Sequence, residues 1–286
     1  MTDLVIRSSR PTPLLTLLLP GTPIGHMLRC RDLIRQFTRR EVESRHKGTF
    51  LGAAWTLVNP LMQLLIYTFL FSVVFKMRWG QIDAVGAHGE FALTFFCGYV
   101  VFSLFQECAT RAPSLVLDRP NLVRKVVFPL EILPVSSLLA QLVYTGVGVV
   151  VLLGASLVAT GSVPATVLLF PLVLVPACLF SLAAGWLLAA LGVFIRDIKQ
   201  VVAVLVQMLF FATPVFYPVS NVPEQYRPIL MANPFTPIVE MSRQTLLWGE
   251  APSFATLGLL TLGGWAAMQA SYAWFMRAKR AFADVV

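Results

Sequence analysis

Long apolar runs of about twenty residues, separated by polar stretches that hold most of the charge, set the pattern of this chain. A helix needs about 20 mostly apolar residues to cross roughly 30 Å of hydrocarbon. Six segments meet that requirement: 53–75, 91–110, 135–159, 163–195, 201–217 and 254–276. The fourth holds Pro164, Pro171 and Pro176, which predict a broken or kinked start. The fifth is short. Ahead of the first run the period changes. Met27, Cys30, Ile34 and Phe37 fall at helical spacing with Leu33 beside them, while Arg29, Arg31, Arg35, Arg39 and Arg40 point elsewhere. This pattern predicts a basic amphipathic helix, too polar to span, lying in the membrane interface.

Composition agrees with lipid as the solvent. Of 286 residues, 57% are hydrophobic and 13% charged, against about 25% charged in soluble domains. The mean hydropathy is +0.76. These figures exclude a disordered chain, a collagen-like repeat and a small disulfide scaffold. Cys30, Cys97, Cys108 and Cys178 are widely spaced without a C-x-x-C pair and read as small buried hydrophobes. Residues 14–19 are apolar, but Pro11, Pro13 and Pro20 interrupt them and no small-residue cleavage site follows, so no cleaved signal peptide is expected.

The net charge of +8 is resolved by where the basic residues fall. Nine precede the first run, four lie between the second and third, two between the fourth and fifth, and three follow the sixth. Only Lys76, Arg78, Arg227 and Arg243 lie on the other side. Cytoplasmic flanks carry such an excess, so both termini are expected in the cytoplasm and a nucleic-acid partner is not implied. The expected organisation is all-α and integral to the membrane. It has a cytoplasmic segment over 1–52 with the interfacial helix, six transmembrane helices over 53–276, and a cytoplasmic tail over 277–286.

Catalytic patterns are missing. No G-x-x-x-x-G-K-[ST] phosphate loop occurs, and residues 48–52 are not followed by Lys-Ser/Thr. No Asp-x-x-Asp pair occurs, and His26, His46 and His88 are scattered over flanks and loops. Neither a catalytic group nor a metal site is expected. Only Glu107 stands well inside a span, with Arg111 one helical turn on. That spacing lets the two neutralise each other at a membrane end, or line a path for a polar substrate. Gln63, Gln141, Gln207 and Gln269 are either glue between helices or contacts for a hydroxylated substrate. The arginines of the amphipathic helix either anchor it on anionic lipid or hold the diphosphate of a lipid-linked substrate, because guanidinium forks match phosphate oxygens in pairs.

A family resemblance enters at Arg45-His46-Lys47-Gly48-Thr49-Phe50-Leu51-Gly52-Ala53-Ala54-Trp55, followed by Asn59-Pro60-Leu61. The run resembles the start of ABC-2 type permeases that export cell-surface polysaccharides such as O-antigen, with His46 where the family commonly has tyrosine. The stretch from Asn121 to Pro129, with Glu131 and Pro134, is similar to the family's connection between spans two and three. The stretch from Gly192 to Ile198 resembles the next cytoplasmic connection, and Thr213-Pro214-Val215-Phe216-Tyr217 with Asn233-Pro234 resembles its outer region.

The resemblance implies a homodimer of permeases with two separate ABC nucleotide-binding subunits. These would hold ATP and Mg, so that this chain binds no cofactor of its own. It implies a coupling helix near 119–127, with Arg119, Asn121, Leu122, Arg124 and Lys125 meeting the ATPase. Taken with the guanidinium chemistry, the expected mechanism has a polyprenyl-diphosphate-linked glycan received by Arg35, Arg39, Arg40, Arg45, Lys47, Leu51 and Gly52, then carried across the bacterial inner membrane. Between spans five and six, the proline-led stretches 223–232 and 237–248, with Gly249 as a stop, predict two short helices; the family's arrangement would have them re-entrant. Aromatic faces suit loose sugar binding, and the candidates are Trp55, Tyr67, Phe95, Phe96, Tyr99, Phe102, Phe105, Phe210, Phe211, Phe216 and Tyr217. The competing substrates within the family are teichoic acid, capsule, or a small lipid or drug. Outside it, the competitor is an integral-membrane glycan or prenyl transferase.

Overall fold

The computed structural model describes residues 22–45, 51–74, 86–123 and 128–285. All regular structure among them is helical. The amphipathic segment forms two helices rather than one, α1 (Thr22–Arg29) and α2 (Arg31–Ser44), which break at Cys30. The buried residues of α2 are Ile34 and Glu41, while Arg31, Arg35, Arg39 and Arg40 are exposed.

The apolar runs fold largely as expected. α3 (Trp55–Tyr67) contains Pro60 and continues as a wider π-helical turn over Thr68–Val74. α4 spans Gly86–Arg111, α5 is a single turn at Pro120–Val123, and α6 runs over Ile132–Thr160. Gly161 ends α6 at φ 74°, a left-handed position that suits a residue without Cβ. A 3₁₀ stretch, Ala165–Leu169, precedes α7 (Phe170–Phe194), as the prolines there predict.

α8 (Ile198–Ala212) stops five residues short of the expected end. Thr213 is extended at φ −92°, ψ 135° because it precedes Pro214, whose ring disfavours the helical region for its neighbour. Phe216 and Tyr217 therefore sit in a turn. Two short helices follow, α9 (Arg227–Ala232) and α10 (Phe235–Arg243); the latter widens into a π turn over Gln244–Trp248 and stops at Gly249, φ 71°. α11 (Phe254–Ala278) begins with Ser253 accepting the Thr256 N–H, and α12 (Phe282–Val285) ends the description.

Among the described residues, three stretches are long and apolar enough to cross a membrane by length and composition: Glu90–Ser114, Ile132–Thr160 and Ala165–Phe194. Trp55–Leu70 and Ile198–Ala212 are apolar but shorter. The fold is thus an all-helical bundle with several helices compatible with a multi-pass membrane protein.

α4 is the bundle's centre, packed by α6, α7, α8 and α10, and α11 lies along α7. Phe91, Phe95, Phe96, Phe102 and Leu104 of α4 are all fully enclosed. At one end a second apolar cluster gathers Val116, Phe275 and Phe282, with Phe37 and Phe128 against it, drawing together α2, the segment after α11 and the α4–α6 connection. Gly192 of α7 makes this possible: a Cβ there would lie 2.2 Å from the backbone oxygen of Pro113.

Candidate functional site

The basic end of the bundle is organised by two buried carboxylates. Glu41, on the inner face of α2, is 4% exposed. It receives Arg111 from the end of α4 and Arg119 from the following connection, the latter at 2.9 Å. The Arg119 guanidinium also lies 5.8 Å from the Phe37 ring centre. Arg45, just past α2, reaches Glu107 at 3.4 Å and stacks over Tyr144 of α6 at 4.6 Å. Glu107 and Arg111 are therefore not a local neutralising pair. Each takes its partner from the amino-terminal segment, which locks α2 to α4.

The second carboxylate, Glu131, holds the N-cap position of α6 without a side-chain capping bond and is 0% exposed. His26 of α1 lies 2.7 Å from one oxygen, and the Lys279 ammonium contacts the other. The Glu131 backbone oxygen accepts the Trp186 indole N–H at 2.9 Å. Burial pushes this carboxyl up, but the His26 hydrogen bond and the Lys279 charge outweigh it and hold it at about 2. An ionised carboxylate only accepts, so His26 must present Nε2–H. The hub joins α1, α6, α7 and the carboxyl-terminal segment.

Two cavities adjoin these hubs. A cleft of about 880 Å³ lies between α1–α2 and α6, walled by Met27, Ile34, Val135, Leu139 and Trp186, with Arg31, Arg35 and Arg39 along it. A more polar pocket of about 580 Å³ lies between α3, α4 and α6 and is lined in part by Trp55, Gln63, Tyr99, Glu107 and Gln141.

The residues expected to receive substrate are split by this arrangement. Arg35, Arg39 and Arg40 are exposed on α2, Arg39 pairing with Glu43 at 2.7 Å. Arg45 is committed to Glu107 and Tyr144. Leu51 is exposed, and Gly52 follows it in a turn at φ 50°. Lys47, Arg124 and Lys125 lie outside the described residues. In the expected coupling segment, Asn121 is exposed and Leu122 half-buried, while Arg119 is turned inward to Glu41.

Among the aromatics, Phe95 and Phe102 are fully enclosed within the chain and serve packing: Phe95 lies 4.3 Å from Tyr67 and 5.1 Å from Phe216, and Phe102 5.2 Å from Phe210. Phe96 is enclosed as well, and Phe105 packs on Phe235 at 4.4 Å. Trp55 and Tyr99 line the polar pocket, Phe211 is exposed, and the Tyr217 hydroxyl donates to the Phe211 carbonyl at 3.1 Å.

The opposite end carries a buried cation that charge counting treats as a surface residue. Arg243, 0% exposed, donates to the carbonyls of Thr94 (3.2 Å) and Val215 (3.0 Å) and to Glu240 (3.0 Å). Asn233 donates to Thr213 Oγ1 at 2.8 Å and accepts the Phe235 N–H at 3.0 Å. The two outer motifs, around Thr213-Pro214 and Asn233-Pro234, thus form one hydrogen-bonded unit. The sequence signal for the buried cation was Glu240 three positions before Arg243 in an otherwise apolar stretch.

A bundle of apolar helices, tied at one end by buried ion pairs and carrying an amphipathic amino-terminal arm, is compatible with a multi-pass membrane protein. Residues 32–247 match the ABC-2 type transporter family model, and the chain belongs to that family. It is a transporter component, not an enzyme. Among its relatives, the O-antigen export system permease protein RfbA of Myxococcus xanthus is 32% identical over 73% of this chain and 76% of its own length. A Klebsiella pneumoniae O-antigen export system permease protein RfbA is 23% identical over 89% of this chain and 95% of its own. The polysialic acid transport protein KpsM of Escherichia coli is 24% identical over 78% of this chain and 85% of its own.

Proposed function

We propose that this chain is the six-span permease of an ATP-driven exporter that carries a polyprenyl-diphosphate-linked surface polysaccharide across the bacterial inner membrane, with both termini in the cytoplasm. It works as a homodimer with two ABC nucleotide-binding subunits, which supply ATP and Mg. The relatives' names support polysaccharide as the cargo class. The observation that carries the lipid carrier is the cleft under α1–α2. Its apolar walls, Val135, Leu139, Met27 and Ile34, suit an isoprenoid tail, and the guanidinium groups of Arg31, Arg35 and Arg39 beside them suit a diphosphate.

In this mechanism the lipid-linked end docks against α2 and the Leu51–Gly52 turn at the cytoplasmic leaflet. Closure of the ATPase subunits pushes on Asn121, Leu122, Arg124 and Lys125. The Glu41 and Glu131 hubs pass that displacement to α4, α6 and α7. The glycan then moves outward past aromatics that are not fully enclosed, such as Trp55, Tyr99, Phe211 and Tyr217, and α9 and α10 re-enter the outer leaflet to frame the exit. Irregular backbone at that depth is tolerated only where protein or a water-filled cavity covers it. The test replaces Arg35, Arg39 and Arg40 together with Gln. Lipid-linked glycan should accumulate inside while the complex still assembles; undiminished export would contradict the role of α2.

A further inference from the structure

The polar pocket between α3, α4 and α6 holds hydrogen-bonding groups that the fold does not use. Gln141 and Thr145, one turn apart on α6, line it and are 5% and 3% exposed. Neither Gln141 Oε1 nor Thr145 Oγ1 has a hydrogen-bond partner. A buried polar atom is destabilising unless water or a ligand satisfies it. On the opposite wall Gln63 Nε2 donates to the Tyr99 hydroxyl at 2.7 Å. Gly148, one turn further along α6, brings that helix against Val100 of α4 and narrows the pocket: a Cβ there would meet Val100 at 3.0 Å.

The chemistry of the vacant groups selects the ligand class. At the mouth Arg45 pairs with Glu107, and Arg111 shares Glu41 with Arg119. An amide oxygen without a donor repels an anion and asks for an O–H. A hydroxyl beside it exchanges hydrogen bonds in either direction. Trp55 and Tyr99 add apolar faces, and about 580 Å³ lies in the range of small-molecule sites.

We infer that this pocket is a saccharide-binding subsite, in which Gln141 accepts from a sugar hydroxyl and Thr145 bonds its neighbour while Trp55 and Tyr99 face the ring. The inference rests on the export reading above and locates a contact for the glycan within one protomer, separate from the diphosphate-binding arginines.

The test uses the complete complex of permease and ATPase subunits in proteoliposomes, with Gln141→Leu and Thr145→Val combined. These changes keep the side-chain outline close to the original and remove the hydrogen-bonding groups. Thermal stability should hold or rise, because unpartnered buried polar atoms are replaced by apolar ones. Export of polyprenyl-diphosphate-linked glycan should fall about tenfold, as expected for two lost hydrogen bonds of ordinary strength, and Thr145→Ser should retain it. Unchanged export in the double variant would mean that the groups meet water alone, and would overturn the subsite. A fall in melting temperature would also overturn it, since the pair would then be holding helices together. Absence of export by the unsubstituted complex would overturn the export reading itself.

Discussion

The ammonium of Lys279 meets the carboxylate of Glu131, 148 positions earlier in the chain. This contact fastens the segment after α11 to the cap of α6, in a setting where both side chains are nearly closed to solvent. Removing one partner of such a buried pair costs about 3 to 5 kcal/mol, because the other is left charged and unpaired. Glu131→Ala should therefore lower the melting temperature strongly. Lys279→Met in the Glu131→Gln background should add little to the loss from Glu131→Gln alone, a non-additivity that a double-mutant cycle measures.

The same carboxylate sets an acid limit on stability. Its folded value, about 2, lies below the ordinary 4.5, so folding favours the ionised form. Its contribution is fully present above about pH 4.5 and is lost as the pH falls from there through about 2. Unfolding of the purified protein, followed across that window, should show stability declining in the wild type and a flatter profile in Glu131→Gln.

Arg243→Lys should destabilise the opposite end of the molecule despite keeping the charge. The guanidinium reaches two backbone carbonyls and Glu240 at once, on three separate elements, and a compact ammonium cannot match that spread. A loss of about 2 kcal/mol or more follows from the carbonyls left unpaired. The melting temperature reads it out, and an unchanged value would remove Arg243 from the account of how α10 is held.

Gly192→Ala should be among the most damaging small changes in the chain. Its Cβ would meet the backbone of Pro113, with the Cα at 2.6 Å as well as the oxygen, and backbone cannot rotate away as a side-chain end can. The measurement is the yield and melting temperature of the purified variant, compared with Gly154→Ala, where nothing lies within 4 Å.

Coupling is tested by charge reversal. Arg124→Glu with Lys125→Glu should weaken capture of the ATPase subunit and lower the ATPase activity of the assembled complex. Normal co-purification together with normal activity would argue against that contact.

Much of the bundle was legible in the sequence because span length and helical period are local properties. α4 and α6 and the last long helix, α11, end within a few residues of the apolar runs that announce them, except that α4 begins five residues earlier. α8 was misjudged because hydropathy continues through Thr213–Tyr217, whereas the backbone turns at Pro214. The reading that only Glu107 stands well inside a span gave no sign of the charges buried outside the spans, for a related reason. Glu41, Glu131 and Arg243 are buried by partners drawn from distant parts of the chain, 78 positions away for Arg119 and 105 for His26. No periodicity reports a contact at that range. The aromatic run was read as a set of equivalent candidates, and only the folded packing separates enclosed Phe95 and Phe102 from half-buried Trp55 and exposed Phe211.

On the proposed reading, this chain forms the conduit and a separate subunit supplies the energy. Proteoliposomes containing the permease with its ATPase partner should move a polyprenyl-diphosphate-linked glycan from one leaflet to the other only when ATP and both subunits are present, as read by a glycan-cleaving enzyme confined to the receiving side. Glycan that stays on the donor side in the complete, ATP-hydrolysing complex, or that crosses with the permease alone, would contradict the account.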